Sequence, residues 1–507
     1  MTLWSGLLVL AVFPAVAPAQ DSAQAPAPSR LVSLSLADAL QQARAKSPMY
    51  RQALNDAGPA KWGVRNAYGS LLPSVTASSD LGYTGSGQSN FGGGFTRPTS
   101  AFLTSGYSLG IQWQLSGRNL QAPSQQRALQ RATDEDIGAA GVGLTAEIST
   151  QYLTALQAVA QVAVARQQVT RNEDFLALAK ARHKVGQTTL LDVRQAEVIK
   201  GTSDVSLLRA VQAENEAKLD LLRRMGVEPP VSIDQIVLTD SFPVTPPNFQ
   251  LDSLLALSER QNPVLRSLRA RGQAARLDVR AAKTDFLPTL SLRAGWSGFT
   301  QQFTNEDLLL RQSVTDAQVL AADCEFNNAV RTGLSLGGQT ANCFAAAGLM
   351  DGGGALLDPV AQEIRNQNSV FPFSYTRQPF GANLTVSLPI FTGFSRSLRL
   401  SQARAQEDDA EEEVRARRLQ VRTDVQSRYL GLETAFRAIG VQGASREAAR
   451  DQLRLAQDRY RLGAGTALEV SDAQNSVQRA EGDYVNAVYD YHKAIAALEA
   501  AVGRPLR

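Results

Sequence analysis

Four stretches of this chain alternate apolar and polar residues with the two-residue period of a β-strand that has one apolar face. Their apolar positions are Val75, Ala77, Leu81 and Tyr83, then Tyr107, Leu109, Ile111, Trp113 and Leu115, then Leu290, Leu292, Ala294 and Trp296, and finally Phe380, Ala382, Leu384, Val386, Leu388 and Ile390. The alternation predicts strands at about 73–84, 105–116, 288–299 and 379–391. Each is about ten residues long, enough for a tilted strand to cross an outer membrane. A β-sandwich is the alternative, but four strands are too few for two packed sheets.

A different period, with apolar residues alternately three and four positions apart, predicts long helices after each strand pair. The repeating positions are Ile148, Tyr152, Ala155, Val159 and Val162 in the first half and Val425, Tyr429, Leu432, Phe436 and Ile439 in the second. On the returning helix of the second half the repeat is that of a coiled-coil seam. Its positions are Val477, Tyr484, Tyr491 and Leu498. Only Pro123 interrupts the stretch from Gly117 to Arg182, so the predicted helix is about 100 Å long.

The same order of elements occurs twice: a short helix, two strands, a very long helix and a returning helix. Leu36–Pro73 aligns with Leu251–Pro288 at a constant offset, and later residues align at a larger one, which indicates a tandem duplication with extra residues in the second copy. The predicted segments are a signal peptide at 1–19, a flexible segment at 20–35, the first repeat at 36–226, a Pro-rich linker at 227–250 and the second repeat at 251–507. The extra residues fall in a predicted extracellular loop at about 300–378.

The first residues have the pattern of an export signal. Residues 7–13 are apolar and Ala17-Pro18-Ala19 matches an A-x-A cleavage site, although residues 1–6 contain no Lys or Arg. Cys324 and Cys343 are the two cysteines of the chain, and in an exported protein they are expected to form a disulfide. Two unpaired thiols in a loop are the alternative.

Composition argues against several classes of function. The formal net charge is only +3, without a basic stripe interleaved with aromatic residues, so no nucleic-acid partner is expected. No run of about 18 apolar residues follows the N-terminus, which argues against a helical membrane protein. The two histidines, His183 and His492, lack metal-ligand spacing, and the Gly runs at 92–94 and 352–354 are not followed by the Lys-Ser/Thr of a phosphate loop. We therefore expect no enzyme activity, no cofactor and no metal site.

Four membrane-crossing strands cannot stand alone, because the backbone groups at both sheet edges would be unsatisfied in hydrocarbon. Three copies would close about twelve strands around a lumen wide enough for water. The polar faces of the strands carry Ser, Thr, Gly, Gln and Arg293, which suit such a lumen. The expected fold is a homotrimeric membrane β-barrel in outer-membrane lipid that continues into an α-helical, coiled-coil barrel in the periplasm. An exported coiled-coil structural protein or adhesin without a pore is the alternative.

Two predicted helix–turn–helix tips carry the most specific motifs. They are Arg182–Val193, RHKVGQTTLLDV, and Arg459–Val470, RYRLGAGTALEV. Both are similar to a Tyr-x-x-Gly…Leu-Asp/Glu-Val pattern, with His183 in place of the aromatic residue in the first, and the chain beyond residue 35 resembles the TolC-like outer-membrane efflux proteins. The resemblance implies a passive export duct, a trimeric twelve-stranded barrel over a helical tunnel. It also implies a periplasmic adaptor and a proton-driven or ATP-driven inner-membrane pump as partners, in drug efflux, metal efflux or protein secretion.

Turn chemistry assigns roles to residues within the tips. Gly186 and Gly463 are predicted to end the long helices, where glycine commonly acts as a stop. Thr188 or Thr189 in the first tip, and Thr466 in the second, are predicted to cap the returning helices. The resemblance implies that the turns at Gly186, Thr188, Gly463 and Thr466 dock the adaptor.

A periplasmic gate is predicted at the same tips. Glu469 and Asp472 lie three residues apart and therefore on one helix face, where three copies would form two stacked acidic rings. The resemblance implies a cation-sensitive constriction at these positions, and roles for Asp192 and Tyr460 in holding the tips closed. Ordinary helix capping is the alternative for the threonines and one acid. Gly465 stands where some members of the family carry an arginine that ties the tips together, so fewer bonds are expected to hold this gate.

Overall fold

The computed structural model describes residues 32–91, 95–230, 233–334, 336 and 339–506. The predicted signal peptide at 1–19 and most of the predicted flexible segment lie outside the described residues. The chain divides into two units. We call Met1–Asn55, Asp136–Leu265 and Arg417–Arg507 the helical unit, and Asp56–Glu135 and Arg266–Ala416 the strand unit.

The described residues form nine strands and twelve α-helices, besides a 3-10 turn at Ile233–Gln235. The strands are β1 (Val32–Leu34), β2 (Ser74–Thr84), β3 (Gly87–Phe91), β4 (Phe95–Thr99), β5 (Phe102–Leu115), β6 (Ile236–Leu238), β7 (Thr289–Phe303), β8 (Thr376–Arg377) and β9 (Gly381–Ser387). The helices are α1 (Leu36–Lys46), α2 (Pro48–Asn55), α3 (Ala57–Gly69), α4 (Gly117–Lys184), α5 (Leu190–Met225), α6 (Leu251–Gln261), α7 (Pro263–Thr284), α8 (Glu306–Gly333), α9 (Cys343–Ala346), α10 (Asp358–Asn368), α11 (Ser395–Arg461) and α12 (Ala467–Val502). As far as the chain is described, none of these helices combines the length and the apolar character needed to span a lipid bilayer.

An antiparallel sheet forms the centre of the strand unit, in the order β2, β5 and β7, with β8 and β9 both paired to β7. Apolar residues stand opposite each other across the register, as Leu109 does with Trp296. On the outer strands the apolar side chains remain exposed; they include Val75, Leu81 and Tyr83 on β2 and Leu384 and Val386 on β9. Within the described residues β2 pairs only with β5 and β9 only with β7, so both edges of the sheet are unpaired.

The ends of the strands differ from the predicted ones. β5 begins earlier than predicted, at Phe102, which pairs with Thr84 at the end of β2. β7 continues further than predicted, to Phe303, because every residue of β5 pairs with a residue of β7. β9 ends earlier than predicted, at Ser387, since Pro389 has no backbone N–H to offer a neighbouring strand. Pairing partners and proline therefore decide strand ends that the apolar alternation alone does not fix.

The segment predicted as an extracellular loop, about 300–378, contains three helices, α8 to α10, rather than irregular structure. α8 begins at a cap in which Asn305 Oδ1 accepts a hydrogen bond from the backbone N–H of Leu308 at 3.1 Å. The insertion has a small hydrophobic core, a cluster of the buried residues Ala317, Ala321, Leu349 and Leu356. A disulfide between Cys324 and Cys343 joins α8 to α9. The insertion is thus a folded element with its own core, and its extracellular position stays a prediction.

Two long helical hairpins, α4–α5 and α11–α12, correspond to each other in the two halves of the chain. The outgoing helices α4 and α11 have 68 and 67 residues, and the returning helices α5 and α12 have 36 each. Of the fourteen residues at the predicted seam positions, nine are buried and five are half-buried. The buried ones are Ile148, Tyr152, Ala155, Val162, Val425, Leu432, Val477, Tyr491 and Leu498, and the half-buried ones are Val159, Tyr429, Phe436, Ile439 and Tyr484. The three-and-four spacing therefore marks the faces on which the helices pack.

Two short strands lie in the predicted flexible segment and in the predicted Pro-rich linker. Residues 32–34 form β1, which pairs in parallel with β6 in the linker. Leu34 on β1 and Ile236 on β6 have buried side chains. The Tyr152 hydroxyl of α4 donates a hydrogen bond to the Leu34 carbonyl at 2.9 Å. The strand pairing, the burial of these apolar residues and this hydrogen bond attach both segments to α4.

Candidate functional site

The tips of both hairpins have the same backbone geometry. Gly186 and Gly463 have φ of +77° and +78°, the left-handed conformation that ends a helix at little cost only for glycine. After α4, the Gln187 N–H donates to the Arg182 carbonyl at 2.8 Å, and after α11 the Ala464 N–H donates to the Arg459 carbonyl at 2.9 Å. Both turns are therefore Schellman motifs, placed at the predicted glycines.

The returning helix of the first hairpin begins at a capping box. Thr189, rather than Thr188, is the cap: its hydroxyl accepts the Asp192 N–H at 3.3 Å, and the Asp192 carboxylate accepts the Thr189 N–H at 3.0 Å. The Thr188 hydroxyl donates to the same carboxylate. The hydrogen bond from Thr188 lowers the pKa of Asp192 against the opposing effect of burial, with further lowering by Thr189 and by the charge of Arg182.

The Asp192 cap leads to a pH-dependent prediction. Because the pKa of Asp192 is lowered in the folded chain, its stabilisation of α5 is complete above the unfolded pKa and is lost as the pH falls through the lowered value. Asp192→Asn is expected to weaken the first turn of α5 by about 1 kcal/mol at neutral pH. Hydrogen exchange of the peptide spanning residues 189–195 measures this difference, which should shrink as the pH falls below about 4.

The matched control for this measurement is Asp451→Asn. Asp451 is an exposed acid that pairs with Arg454 on its own helix at 3.1 Å. Its removal should leave exchange at the start of α5 unchanged. A difference between wild type and Asp192→Asn that persists unchanged to low pH would contradict a role for the ionised carboxylate.

In the second tip the acid of the first helical turn, Glu469, forms an ion pair instead of a capping box. Thr466 caps α12, since its hydroxyl accepts the Glu469 N–H at 3.2 Å. The exposed Glu469 carboxylate lies 3.5 Å from Arg459 Nη1 instead of closing a capping box. Asp472, one turn further along α12, is also exposed. The structure thus brings Glu469 and Asp472 together at one tip, and the acidic rings remain a prediction about the assembled protein.

Tyr460 is buried between the two tips, with 4% of its surface exposed. Its ring centroid lies 5.5 Å from that of Phe175 on α4. Arg182, at the end of α4, places its guanidinium carbon 4.6 Å from the centre of the same ring, and its Nη1 donates to the Tyr460 backbone carbonyl. We call this pair the Arg182–Tyr460 bridge. No pattern in the sequence indicates this role for Arg182, because a basic residue in the last turn of a helix is common.

A buried ionic group joins the hairpins further from the tips. Glu481 on α12 is 5% exposed and accepts hydrogen bonds from Arg171 on α4 at 3.1 Å and from Arg450 on α11 at 3.2 Å. Gln168, also buried, accepts from Arg171 at 2.9 Å. We call Arg171, Arg450 and Glu481 the Glu481 cluster. It draws residues from both repeats, and no spacing along the sequence could have indicated it.

The histidines take structural positions. The His183 Nδ1 lies 3.1 Å from the Thr188 carbonyl within the first tip. His492 is buried, with its ring 5.2 Å from that of Tyr491. In the part of the chain that the structure describes, no group of His, Cys, Asp or Glu side chains is arranged to hold a metal ion.

Comparisons with known proteins agree on one family. A sequence model described as outer membrane efflux protein matches residues 39–226 and 360–504. The probable efflux pump outer membrane protein SepC and the toluene efflux pump outer membrane protein TtgF, both from Pseudomonas putida, are each 28% identical over 179 residues, or 33% of this chain. The chain spans 36% of the length of these curated relatives.

A solved structure extends the likeness to nearly the whole chain. The outer membrane protein VceC of Vibrio cholerae superposes with a TM-score of 0.64 at 17% identity, over 93% of this chain and 97% of that one. At such low identity the superposition shows a shared fold. Since the family model matches well over half of the chain, in both repeats, the chain belongs to the outer membrane efflux protein family.

Proposed function

We propose that this protein is the outer-membrane channel of an export system, a passive duct from the periplasm to the exterior. One observation carries the proposal: a membrane-length antiparallel sheet with two unpaired edges is continuous in sequence with two long helical hairpins. The helices supply no membrane span among the described residues. The family match supports the same function.

Closure by three copies follows from the open edges. The outer edge of β2 in one copy would pair with the outer edge of β9 in the next, so that backbone groups facing lipid are satisfied. Three four-stranded sheets give about twelve strands, which leave a water-filled lumen, whereas two give about eight, whose interior side chains fill. The exposed apolar residues of β2 and β9 would then face outer-membrane lipid.

The two tips support a place for this duct in a three-part assembly. Each chain presents two glycine turns of the same geometry, at Gly186 and Gly463, and these are the surfaces we propose for a periplasmic adaptor. The adaptor would connect the duct to an inner-membrane pump driven by protons or by ATP. Selection of the cargo, whether drug, metal ion or protein, would fall to the pump.

The proposal is tested on full-length protein extracted from outer membranes in detergent. We expect light scattering combined with size exclusion to give the mass of three chains, and planar bilayers to show discrete conductance steps when the same sample is added. A stable monomer, or recovery in the aqueous periplasmic fraction, would favour an exported coiled-coil scaffold. A trimer without conductance would contradict the duct while leaving the assembly in place.

A further inference from the structure

We propose that Arg293, repeated in three copies, forms a binding site inside the barrel for an anionic group, a carboxylate or a phosphate, of a solute that passes through the duct. This inference rests on the proposed function, because it needs three sheets closed around one lumen. The site lies in the strand unit, at the end of the sheet where α3 leads into β2 and β5 leads into α4.

Four polar residues, one from each long strand, stand side by side across the sheet. Residues directly paired in antiparallel strands share a face of the sheet. Gln112 of β5 pairs with Ser74 of β2 and with Arg293 of β7. Arg293 pairs in turn with Asn383 of β9. This row lies on the polar face, because the residue before Arg293 along β7 is Leu292, which belongs to the apolar face.

The positive charge of Arg293 is not neutralised within the sheet. In β2, β5, β7 and β9, as the structure describes them, Arg293 is the only basic residue and Asp80 is the only acid. The Arg293 side chain is exposed and is bonded to no carboxylate or carbonyl of the described residues. Asp80 pairs with Gly106, six positions along β5 from Gln112, which is roughly 20 Å. At that distance salt screens most of the attraction between two exposed charges.

A cavity of about 340 Å³ lies beside Arg293 and offers further donors. The amide side chains of Asn66, Gln112 and Gln114 line it together with the guanidinium. Amide N–H groups and the planar fork of an arginine are donors suited to a carboxylate or a phosphate. None of the residues that line this cavity is acidic. The lining therefore favours an anion over a cation.

The next row on the same face leaves room for the bound group. Gly110 of β5 pairs with Gly295 of β7, which pairs with Gly381 of β9. Thr76 of β2 completes this row opposite Gly110. Three of its four positions thus carry no side chain, so the Arg293 guanidinium and an anion have space between the sheet and the lumen axis.

Three copies would arrange three such guanidinium groups around one lumen. Twelve strands about 4.8 Å apart and tilted by about 40° enclose a backbone cylinder roughly 24 Å across. No point of the lumen is then more than about 12 Å from the wall, little more than the screening length at physiological salt. The ring would therefore act on the ions and solutes that pass, and a bound anion would offset its charge.

Ion selectivity of single channels in planar bilayers, measured on the full-length trimer, tests the inference. The probes are citrate, a carboxylate, and pyrophosphate, a phosphate, each added at a fixed potassium chloride gradient without divalent ions. Either anion should shift the reversal potential of the wild type toward greater cation preference, up to a saturating value. Arg293→Gln should have this greater preference without either probe. Any further shift should need an about tenfold higher probe concentration, because a charge-assisted hydrogen bond is lost.

Two other substitutions separate the Arg293 site from a general effect of charge. Arg293→Lys keeps the cation and should retain most of the response. Arg377→Gln is the matched control: Arg377 is exposed in the same sheet but pairs with Gly298, an odd number of positions from Arg293 along β7 and therefore on the opposite face. Its selectivity and its response to both probes should equal those of the wild type.

Arg293→Cys gives an independent test, since Cys324 and Cys343 are joined in the disulfide and leave the new thiol as the reactive one. A cationic thiol reagent should restore the response to the probes, and a channel that stays unresponsive after labelling overturns the inference. A wild type that responds to neither probe also overturns it, as does an Arg293→Gln variant that responds like the wild type or an Arg377→Gln variant that loses the response. A wild-type protein that forms no pore overturns the proposed function instead.

Discussion

Replacing Glu481 with alanine is expected to destabilise the helical unit by about 3 kcal/mol, because it leaves two arginines near a buried site without their shared acceptor. Glu481 is 5% exposed and is bonded by Arg171 and Arg450 from two other helices. The lower end of the usual range for breaking a buried pair applies, since Arg450 is partly exposed and can turn to water. Thermal unfolding of the detergent-solubilised protein, followed by circular dichroism, measures the loss.

Two further variants define what the carboxylate contributes. Glu481→Gln keeps an acceptor oxygen and nearly the same shape, so its cost should fall between those of wild type and Glu481→Ala. Glu447→Ala is the matched control: Glu447 pairs with Arg446 and Arg450 on its own exposed helix face, and such pairs contribute about 0–1 kcal/mol. If Glu481→Ala and Glu447→Ala unfold at the same temperature, the Glu481 cluster contributes no more than a surface pair.

The double substitution Glu469→Gln with Asp472→Asn is expected to reduce the preference of the channel for cations and to weaken its block by divalent ions. Both side chains are exposed at the start of α12, and three copies would place about six carboxylates around one narrow mouth, where their field concentrates cations. Arg459 partly offsets Glu469 at 3.5 Å. We therefore expect Asp472→Asn alone to have a larger effect than Glu469→Gln alone.

Reversal potentials across a salt gradient, and conductance with and without magnesium, measure both properties in planar bilayers. The control combines Asp451→Asn with Asp458→Asn, which removes the same charge from acids that are paired with arginines on their own helix. If the gate variant matches this control in selectivity and block, Glu469 and Asp472 act only in the local structure of α12. The melting temperature should hardly change in either double variant, since all four acids are exposed.

Local patterns in the sequence predicted most of the architecture. Strands β2, β5, β7 and β9 follow from two-residue alternation, and the hairpin helices follow from seam positions such as Tyr152 and Leu432, because burial on one face imposes a period on the chain. The tip turns followed from Gly186 and Gly463, whose left-handed conformation few other residues adopt. These signals are short in range and need no knowledge of tertiary contacts.

Contacts between distant parts of the chain could not be predicted in the same way. Arg171 and Glu481 lie 310 positions apart, and Arg182 and Tyr460 lie 278 apart, so neither pair leaves a mark in local spacing. The insertion itself was predicted, but its helices α8 to α10 were not, for another reason. Its hydrophobic core is small, with alanines at two of the four positions of the cluster, and gives too weak an apolar period to stand out from a loop.

The nearly equal lengths of the two hairpins limit how this chain can vary in evolution. Adding one heptad to α4 and α5 alone would carry Arg182 past Tyr460 and misalign both tips, so a viable change in length must occur in both repeats together. Among the described residues, the first repeat has only the short strands β3 and β4 where the second repeat has α8–α10, so the length of the insertion is not tied to a matching element. Natural variants of this protein should therefore differ in length mainly in that insertion, and their two hairpins should remain nearly equal in length.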